Sequence, residues 1–85
     1  MPIICKFFGI TIYMYWKDHA PPHFHAKYGD DEIVVEIKSG KVSSNMSNRA
    51  LKMVQEWRRL HKDELLKDWE LAEQKKALFA INPLE

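Results

Sequence analysis

The spacing of apolar residues changes once along this 85-residue chain, and that change constrains the fold more than any other feature. As far as about residue 44, short runs rich in β-branched and aromatic residues are separated by turn residues, which is typical of strands. From Ser47 onward, apolar residues recur at three- and four-residue steps, which is typical of amphipathic helices. Because the strands precede the helices, the chain predicts an α+β fold with helices packed on a sheet.

Four strands are predicted in the sheet part, residues 1–44, in the runs IICKFF, ITIYMYW, HFHAKYG and EIVVEIK. Gly9, GDD and SGK supply the turns between them, and an extended piece near Val42 can add a fifth strand. We therefore expect a small antiparallel meander of four or five strands. In the second run, one face is predicted to carry Ile10, Ile12, Met14 and Trp16.

Two α-helices packed on one sheet face are predicted in residues 47–76, with Ser47 and Asp63 as their N-caps. The apolar tail, residues 77–85, is expected to pack back on the sheet or to add an edge strand. No repeat or linker divides the chain, so residues 1–85 are expected to form a single domain. The predicted inward-facing residues are Ala50, Leu51, Val54, Trp57 and Leu60 or His61 in the first helix, and Leu65, Leu66, Trp69 and Ala72 in the second.

Composition excludes several classes of protein. Cys5 is the only cysteine, so an intrachain disulfide framework is excluded and Cys5 is expected in the core. No apolar run approaches the ~20 residues of a membrane span, and no basic stretch followed by a long apolar run opens the chain, so we expect a cytoplasmic protein without a membrane partner. The net charge of +1 argues against a broad nucleic-acid surface.

The stretch DHAPPHFHAKYG, Asp18–Gly29, is the candidate functional site. On a strand, residues two apart point the same way, so His23 and His25 can converge on one ion. The candidate cofactor is a divalent metal such as Zn. The candidate ligands are Asp18, His19, His23 and His25, with Glu32 or Glu36 available if the next strand pairs in a matching register.

Two other interpretations of the histidines stay open. His19, His23, His25 and Tyr15 are candidate catalytic residues for general acid–base chemistry without a metal, for example on an RNA 2′-hydroxyl. Alternating histidines are also typical of an amphipathic surface strand that serves no chemistry. Whether the protein is an enzyme is therefore left open by the residues alone.

A basic cluster lies on the predicted first helix. Its candidate contacts with nucleic acid or a partner protein are Arg49, Lys52, Arg58 and Arg59. A solvated charged face is the alternative, and the near-neutral total charge makes nucleic acid the less favoured ligand.

The motif DHAPPHFHA (residues 18–26), the spine EW…LH…ELL…W (residues 56–69) and the closing INPLE together resemble a family of small bacterial proteins, the domain of unknown function DUF4160. This resemblance implies a toxin–antitoxin-like module with a small partner protein encoded nearby. Homo-oligomerisation is a further expectation for so small a domain. The first functional hypothesis is thus protein–protein interaction through a histidine-rich site. The alternatives are a small nuclease, metal-dependent or acid–base, and a nucleic-acid-binding regulator that uses the basic helix.

Overall fold

The computed structural model describes residues 2–85 and shows one four-stranded antiparallel sheet followed by two helices, which confirms the predicted α+β class. Each strand pairs with its neighbour in sequence, in the order β1-β2-β3-β4. Within residues 2–85, no helix is both long enough and apolar enough to cross a membrane. The elements are β1 (Ile3–Phe7), β2 (Ile10–Tyr13), β3 (His23–Tyr28), β4 (Asp31–Glu36), α1 (Asn48–Leu60) and α2 (Lys62–Glu73).

Two tight turns fix the register of the sheet. Phe8 and Gly9 join β1 to β2 with positive φ angles of 47° and 80°. Positive φ at both central residues defines the type I′ turn, whose twist matches that of paired strands. Residues 29–30 make an equally short connection between β3 and β4. Such short turns leave no freedom for slippage within these two pairs, so alternate residues of β3 and β4 keep to one face. Strand β1 has one register shift, between Ile3 and Cys5.

One face of the sheet forms the hydrophobic core with α1. The indole of Trp57 packs at 5.5 Å from the ring of Phe7 and at 5.7 Å from the ring of Phe24, measured between centroids. Trp57 is fully buried, and burial of an aromatic side chain this large is worth several kcal/mol. The buried strand residues on this face are Cys5, Phe7, Ile10, Ile12, Phe24, Ala26, Ile33 and Val35.

Helix α2 supports the loop that leads into β3. The Lys17 backbone N–H donates to the carbonyl of Ala72 at 3.2 Å, near the end of α2. One turn earlier, the Trp69 ring lies 5.1 Å from the His23 ring. Residues far along the chain thus hold the histidine stretch in place.

The two helix starts differ from each other. The Ser47 hydroxyl accepts the Ala50 backbone N–H at 3.2 Å, which confirms Ser47 as the N-cap of α1. The prediction of Asp63 as the second N-cap is wrong, because α2 begins at Lys62 and His61 occupies the cap position, without a side-chain bond. Asp63 lies instead in the first turn, where a carboxylate interacts favourably with the helix dipole. Of the two alternatives at the end of α1, Leu60 is 65% exposed and His61 is half-buried.

The sheet is also shorter than predicted. Strand β2 ends at Tyr13, and Trp16 is 52% exposed rather than part of the core face. Val42 forms an isolated bridge with Val35 and no fifth strand. Pro21 and Pro22, which lack backbone N–H donors, lie directly before β3, so the chain enters that strand from a loop.

The C-terminal tail packs back on the fold without forming a strand in the described residues. The Ile81 N–H donates to the Ile4 carbonyl at 2.9 Å, and the Trp57 indole N–H donates to the Asn82 carbonyl at 2.9 Å. The Phe79 N–H donates to Asp68 Oδ1 at 3.0 Å. The tail is therefore held by single hydrogen bonds from three different elements.

Asp68 is an unusual member of this interior. Its side chain is fully buried, and its Oδ2 has no hydrogen-bond partner among residues 2–85. Burial raises the pKa of Asp68 from 3.8 to about 6, with the charge of Glu64 adding to the rise and the Phe79 N–H opposing it. The folded protein therefore favours the neutral carboxyl.

We predict that Asp68 lowers the free energy of unfolding as the pH rises from 5 to 8, because its carboxyl must then ionise in the interior. Since its folded pKa of about 6 exceeds its unfolded value of 3.8, its stabilising contribution is complete below pH 4 and is lost as the pH rises through about 6. Asp68→Asn should remove this slope and raise stability at pH 8 by about 1–3 kcal/mol. Urea unfolding followed by tryptophan fluorescence at both pH values measures this. An unchanged slope in the variant would contradict the assignment.

Candidate metal centre

Three side chains from β3 and the preceding loop converge on one point. Alternation along β3 places His23 and His25 on the face opposite the core, where His25 lies between Tyr13 of β2 and Val34 of β4. The Asp18 carboxylate reaches over from the loop, with Oδ2 at 2.8 Å from His23 Nε2 and 3.4 Å from His25 Nε2. One ligand atom from each of the three residues lies within 4.8 Å of the others.

The ring of His23 is oriented by two oxygens. Its Nδ1 lies 2.8 Å from the Pro21 carbonyl, which can only accept, so Nδ1 carries a hydrogen. Its Nε2 donates to the Asp18 carboxylate at 2.8 Å, so a metal would take the place of this hydrogen between the two side chains. Metal-bound histidines typically donate their second ring N–H to a carbonyl or carboxylate in this way. The Ala20–Pro21 peptide bond that precedes this carbonyl is cis.

Two tyrosines fix the ring of His25. Tyr13 stacks on it with an interplanar angle of 12° and a centroid distance of 5.1 Å, and Tyr15 contacts it edge-on at 4.7 Å. Burial lowers the pKa of His25, although its hydrogen bond to Asp18 acts in the opposite direction. A neutral imidazole held in one orientation is the form that binds metal ions.

Asp18 supplies negative charge to the cluster. Burial acts to raise the pKa of Asp18, but hydrogen bonds from His23, from the His19 backbone N–H and from His25 outweigh it and bring the pKa below its ordinary value. The His19 N–H donates to Oδ1 at 2.9 Å, whereas the two imidazoles face Oδ2. Asp18 is thus an ionised carboxylate with one oxygen directed at both histidines.

The distances suit a small transition-metal ion. Tetrahedral bonds of about 2.0–2.1 Å separate neighbouring ligand atoms by roughly 3.3–3.4 Å. The 3.4 Å separation of Asp18 Oδ2 and His25 Nε2 already has this value, and the 2.8 Å separation from His23 must widen by about half an ångström. Two imidazoles and one carboxylate form a ligand set used for Zn, Fe(II) and Mn(II).

The cluster opens into a cleft of about 350 Å³. Three protein ligands leave a fourth tetrahedral position, which is the arrangement of catalytic rather than structural zinc sites. A cleft of this size also has room for a small organic group. It is lined by Tyr15, Asp18, His19, Pro21, His23, His25, Val34 and Glu36.

His19 lies at the edge of this site and outside the convergent group. Its side chain is 90% exposed, and its Nδ1 lies 3.1 Å from Asp18 Oδ1, the oxygen that faces away from the other two histidines. Of the two glutamates considered as ligands, Glu36 pairs with His23 across the sheet and lines the cleft. Glu32 pairs with Lys27, at the far end of β3.

The predicted basic cluster does not remain together. Arg58 is 8% exposed and donates from Nη1 to the Ile37 carbonyl at 2.9 Å and from Nε to Gln55 Oε1 at 2.8 Å. It therefore stabilises the join between α1 and the end of the sheet. Arg49, Lys52 and Arg59 remain exposed, and the last two line a groove of about 670 Å³.

Sequence reasoning missed two supports of the site. The Pro21 carbonyl orients the His23 ring through a hydrogen bond, and Trp69 of α2 packs against the same ring. The apolar period of the second helix predicted a buried Trp69, but nothing in the sequence relates it to a histidine 46 positions earlier. A backbone carbonyl carries no sequence signal at all.

Comparison with known proteins gives one family. The model of the family described as "Domain of unknown function (DUF4160)" matches residues 9–70, a range that contains the whole histidine cluster. No curated protein and no solved structure gives a significant match.

We predict that Arg58→Gln lowers the free energy of unfolding by about 1–3 kcal/mol, because it leaves the buried Ile37 carbonyl without its charged donor. The neighbouring Arg59→Gln is the matched control and should change stability by less than about 0.5 kcal/mol, since Arg59 is exposed. Urea unfolding of the three proteins provides the comparison. Equal losses in the two variants would contradict a structural role specific to Arg58.

Proposed function

The chain belongs to the DUF4160 family, whose description names no activity, and we propose from its own geometry that it binds a divalent transition metal and acts as a small metal-dependent hydrolase. Asp18, His23 and His25 hold the metal. One observation carries this proposal: three ligand atoms converge within 4.8 Å at the base of an open cleft.

A metal accounts for the cluster better than a proton relay does. Both imidazole Nε2 atoms face the same oxygen, Asp18 Oδ2, whereas a relay would need only one of them. Hydrogen bonds to Asp18 and to the Pro21 carbonyl already pair His23 and His25 in the structure. One cation bound by all three residues would replace both bonds to Asp18 at once.

In the proposed reaction, the metal and the side chains that line the cleft have separate roles. When bound, the metal supplies a Lewis acid that polarises an oxygen of the substrate. Glu36 provides a carboxylate on the cleft wall that can accept a proton from water. Tyr15 forms the opposite wall through its contact with His25. The nuclease hypothesis is one case of this chemistry.

We predict about one equivalent of Zn or a similar metal in untagged protein that is purified without chelator. His23→Ala/His25→Ala should lose it, because two of three ligands are gone, while circular dichroism shows the fold unchanged. His19→Ala is the matched control and should retain the metal. Elemental analysis by mass spectrometry supplies the measurement. Wild-type protein that neither contains metal nor takes up added Zn at micromolar concentration would overturn the proposal.

Docking of a partner protein is the second candidate function. Five large apolar side chains are exposed, and Trp16, beside the cleft residue Tyr15, is among them. Tryptophan and tyrosine are enriched in protein interfaces. This surface would bind the small product of a neighbouring gene, in a cytoplasmic toxin–antitoxin-like module. Alternatively, it would join copies of this chain in a homo-oligomer. The other exposed apolar residues are Ile3, Phe8 and Leu60.

We predict that the product of an adjacent gene, when co-expressed, co-purifies with the wild-type chain. Trp16→Ser should weaken the complex by at least tenfold because it removes an exposed aromatic anchor. Leu60→Ser serves as the control, since Leu60 is also an exposed apolar residue but does not line the cleft. Absence of a complex at micromolar concentration would count against the docking function, and equal losses in both variants would remove Trp16 from it.

A further inference from the structure

The face that carries the histidines continues beyond the metal cluster to residues 41–43. This segment runs alongside β4, with the Val35–Val42 bridge at its centre. The Glu36 N–H donates to the Lys41 carbonyl at 2.9 Å, and the Ser43 N–H donates to the Val34 carbonyl at 3.0 Å. Lys41 therefore lies opposite Glu36 on the same face as the histidines.

His23, Glu36 and Lys41 consequently form a row across three neighbouring chain segments. Adjacent strands lie about 4.8 Å apart, so the backbones of His23 and Lys41 are separated by roughly 10 Å. The flexible four-carbon stem of lysine covers much of that gap. A second cavity of about 130 Å³ beside Lys41 shares Val34 and Glu36 with the metal cleft. The two cavities thus adjoin at Val34 and Glu36, and together they are called the groove below.

The charges along this groove are arranged for an anion. Lys41 is exposed and has no carboxylate within 4.0 Å in the part of the chain from residue 2 to residue 85. Glu36 is held in place, because its Oε1 accepts the Ser39 hydroxyl at 2.8 Å and that hydroxyl oxygen accepts the Lys41 N–H at 3.1 Å. The fixed carboxylate of Glu36 therefore lies between the free ammonium of Lys41 at one end of the groove and the metal at the other.

We propose that this groove binds a phosphate group between the metal and Lys41, with Glu36 accepting a hydrogen bond from a protonated phosphate oxygen. This inference rests on the proposed metal site and names the substrate class for it. A tetrahedral phosphate has enough oxygens to contact all three groups, whereas a carboxylate has two. Glu36 repels an anion without a proton, so the site favours hydrogen phosphate, or a phosphate monoester that keeps its last acidic proton, over sulfate.

The test is calorimetric titration of protein that is loaded with one equivalent of Zn and freed of excess metal. At pH 7, inorganic phosphate should bind at least tenfold more tightly than sulfate. Lys41→Gln should weaken phosphate binding about tenfold, the scale of one charge-assisted contact. Lys27→Gln is the matched control, because Lys27 is an exposed lysine of β3 on the same face, and it should change nothing.

Glu36→Gln tests the selectivity separately. An amide both donates and accepts, so phosphate and sulfate should then bind within about threefold of each other. Phenyl phosphate is the second ligand, and it is compared with inorganic phosphate at pH 6, where about half of the ester keeps its acidic proton. Binding as tight as that of inorganic phosphate supports an ester as the ligand, and weaker binding supports free phosphate.

Metal content is measured on every variant, so the two proposals fail in different ways. Protein that binds Zn but holds phosphate equally well in the wild type and in Lys41→Gln overturns this inference and leaves the metal site intact. Sulfate binding as tightly as phosphate to the wild type also overturns it. Protein that binds no metal overturns both proposals.

Discussion

The hydrogen bond between Asp18 and His23 is the contact on which the rest of the site depends. It joins a loop residue to the first residue of β3 at 2.8 Å, while the Pro21 carbonyl holds the other ring nitrogen at the same distance. His23 is almost fully buried beneath Trp69, so its polar atoms need these partners. Because the same Asp18 oxygen also faces His25, a single carboxylate closes the loop over the strand and completes the ligand cluster.

Strand β3 carries the core and the site on opposite faces. Phe24 packs against Trp57 and α1, while His23 and His25 point to the other side. Packing in the core therefore also fixes the metal ligands. His23 and His25 share a backbone with Phe24, so they cannot shift while Phe24 is held in the core. Helix α2 adds a second restraint through Lys17 and the loop. The site thus rests on regular structure on two sides.

Those parts of the fold and of the site that follow from the periodicity of the side chains could be predicted from the sequence. Alternation gave the fold class and placed His23 and His25 on one face, and a two-residue turn at 29–30 is enough to place Glu36 opposite His23. Prediction failed for residues whose position depends on loop conformation or tertiary packing. Nothing local shows that Asp18 turns inward while His19 is exposed, or that Arg58 is buried against a carbonyl 21 residues away. Asp63 failed as a cap because the helix break is only one residue long.

In the proposed site, His23 and His25 bind the metal through Nε2. Nitrogen NMR of ¹⁵N-histidine-labelled protein, recorded before and after one equivalent of Zn, tests it most directly. We expect the Nε2 signals of His23 and His25 to move to values typical of metal coordination while His23 Nδ1 keeps its hydrogen. The signals of His19 and His61 should not change. Shifts at His19 or His61 instead, or no shift at any histidine, would contradict it.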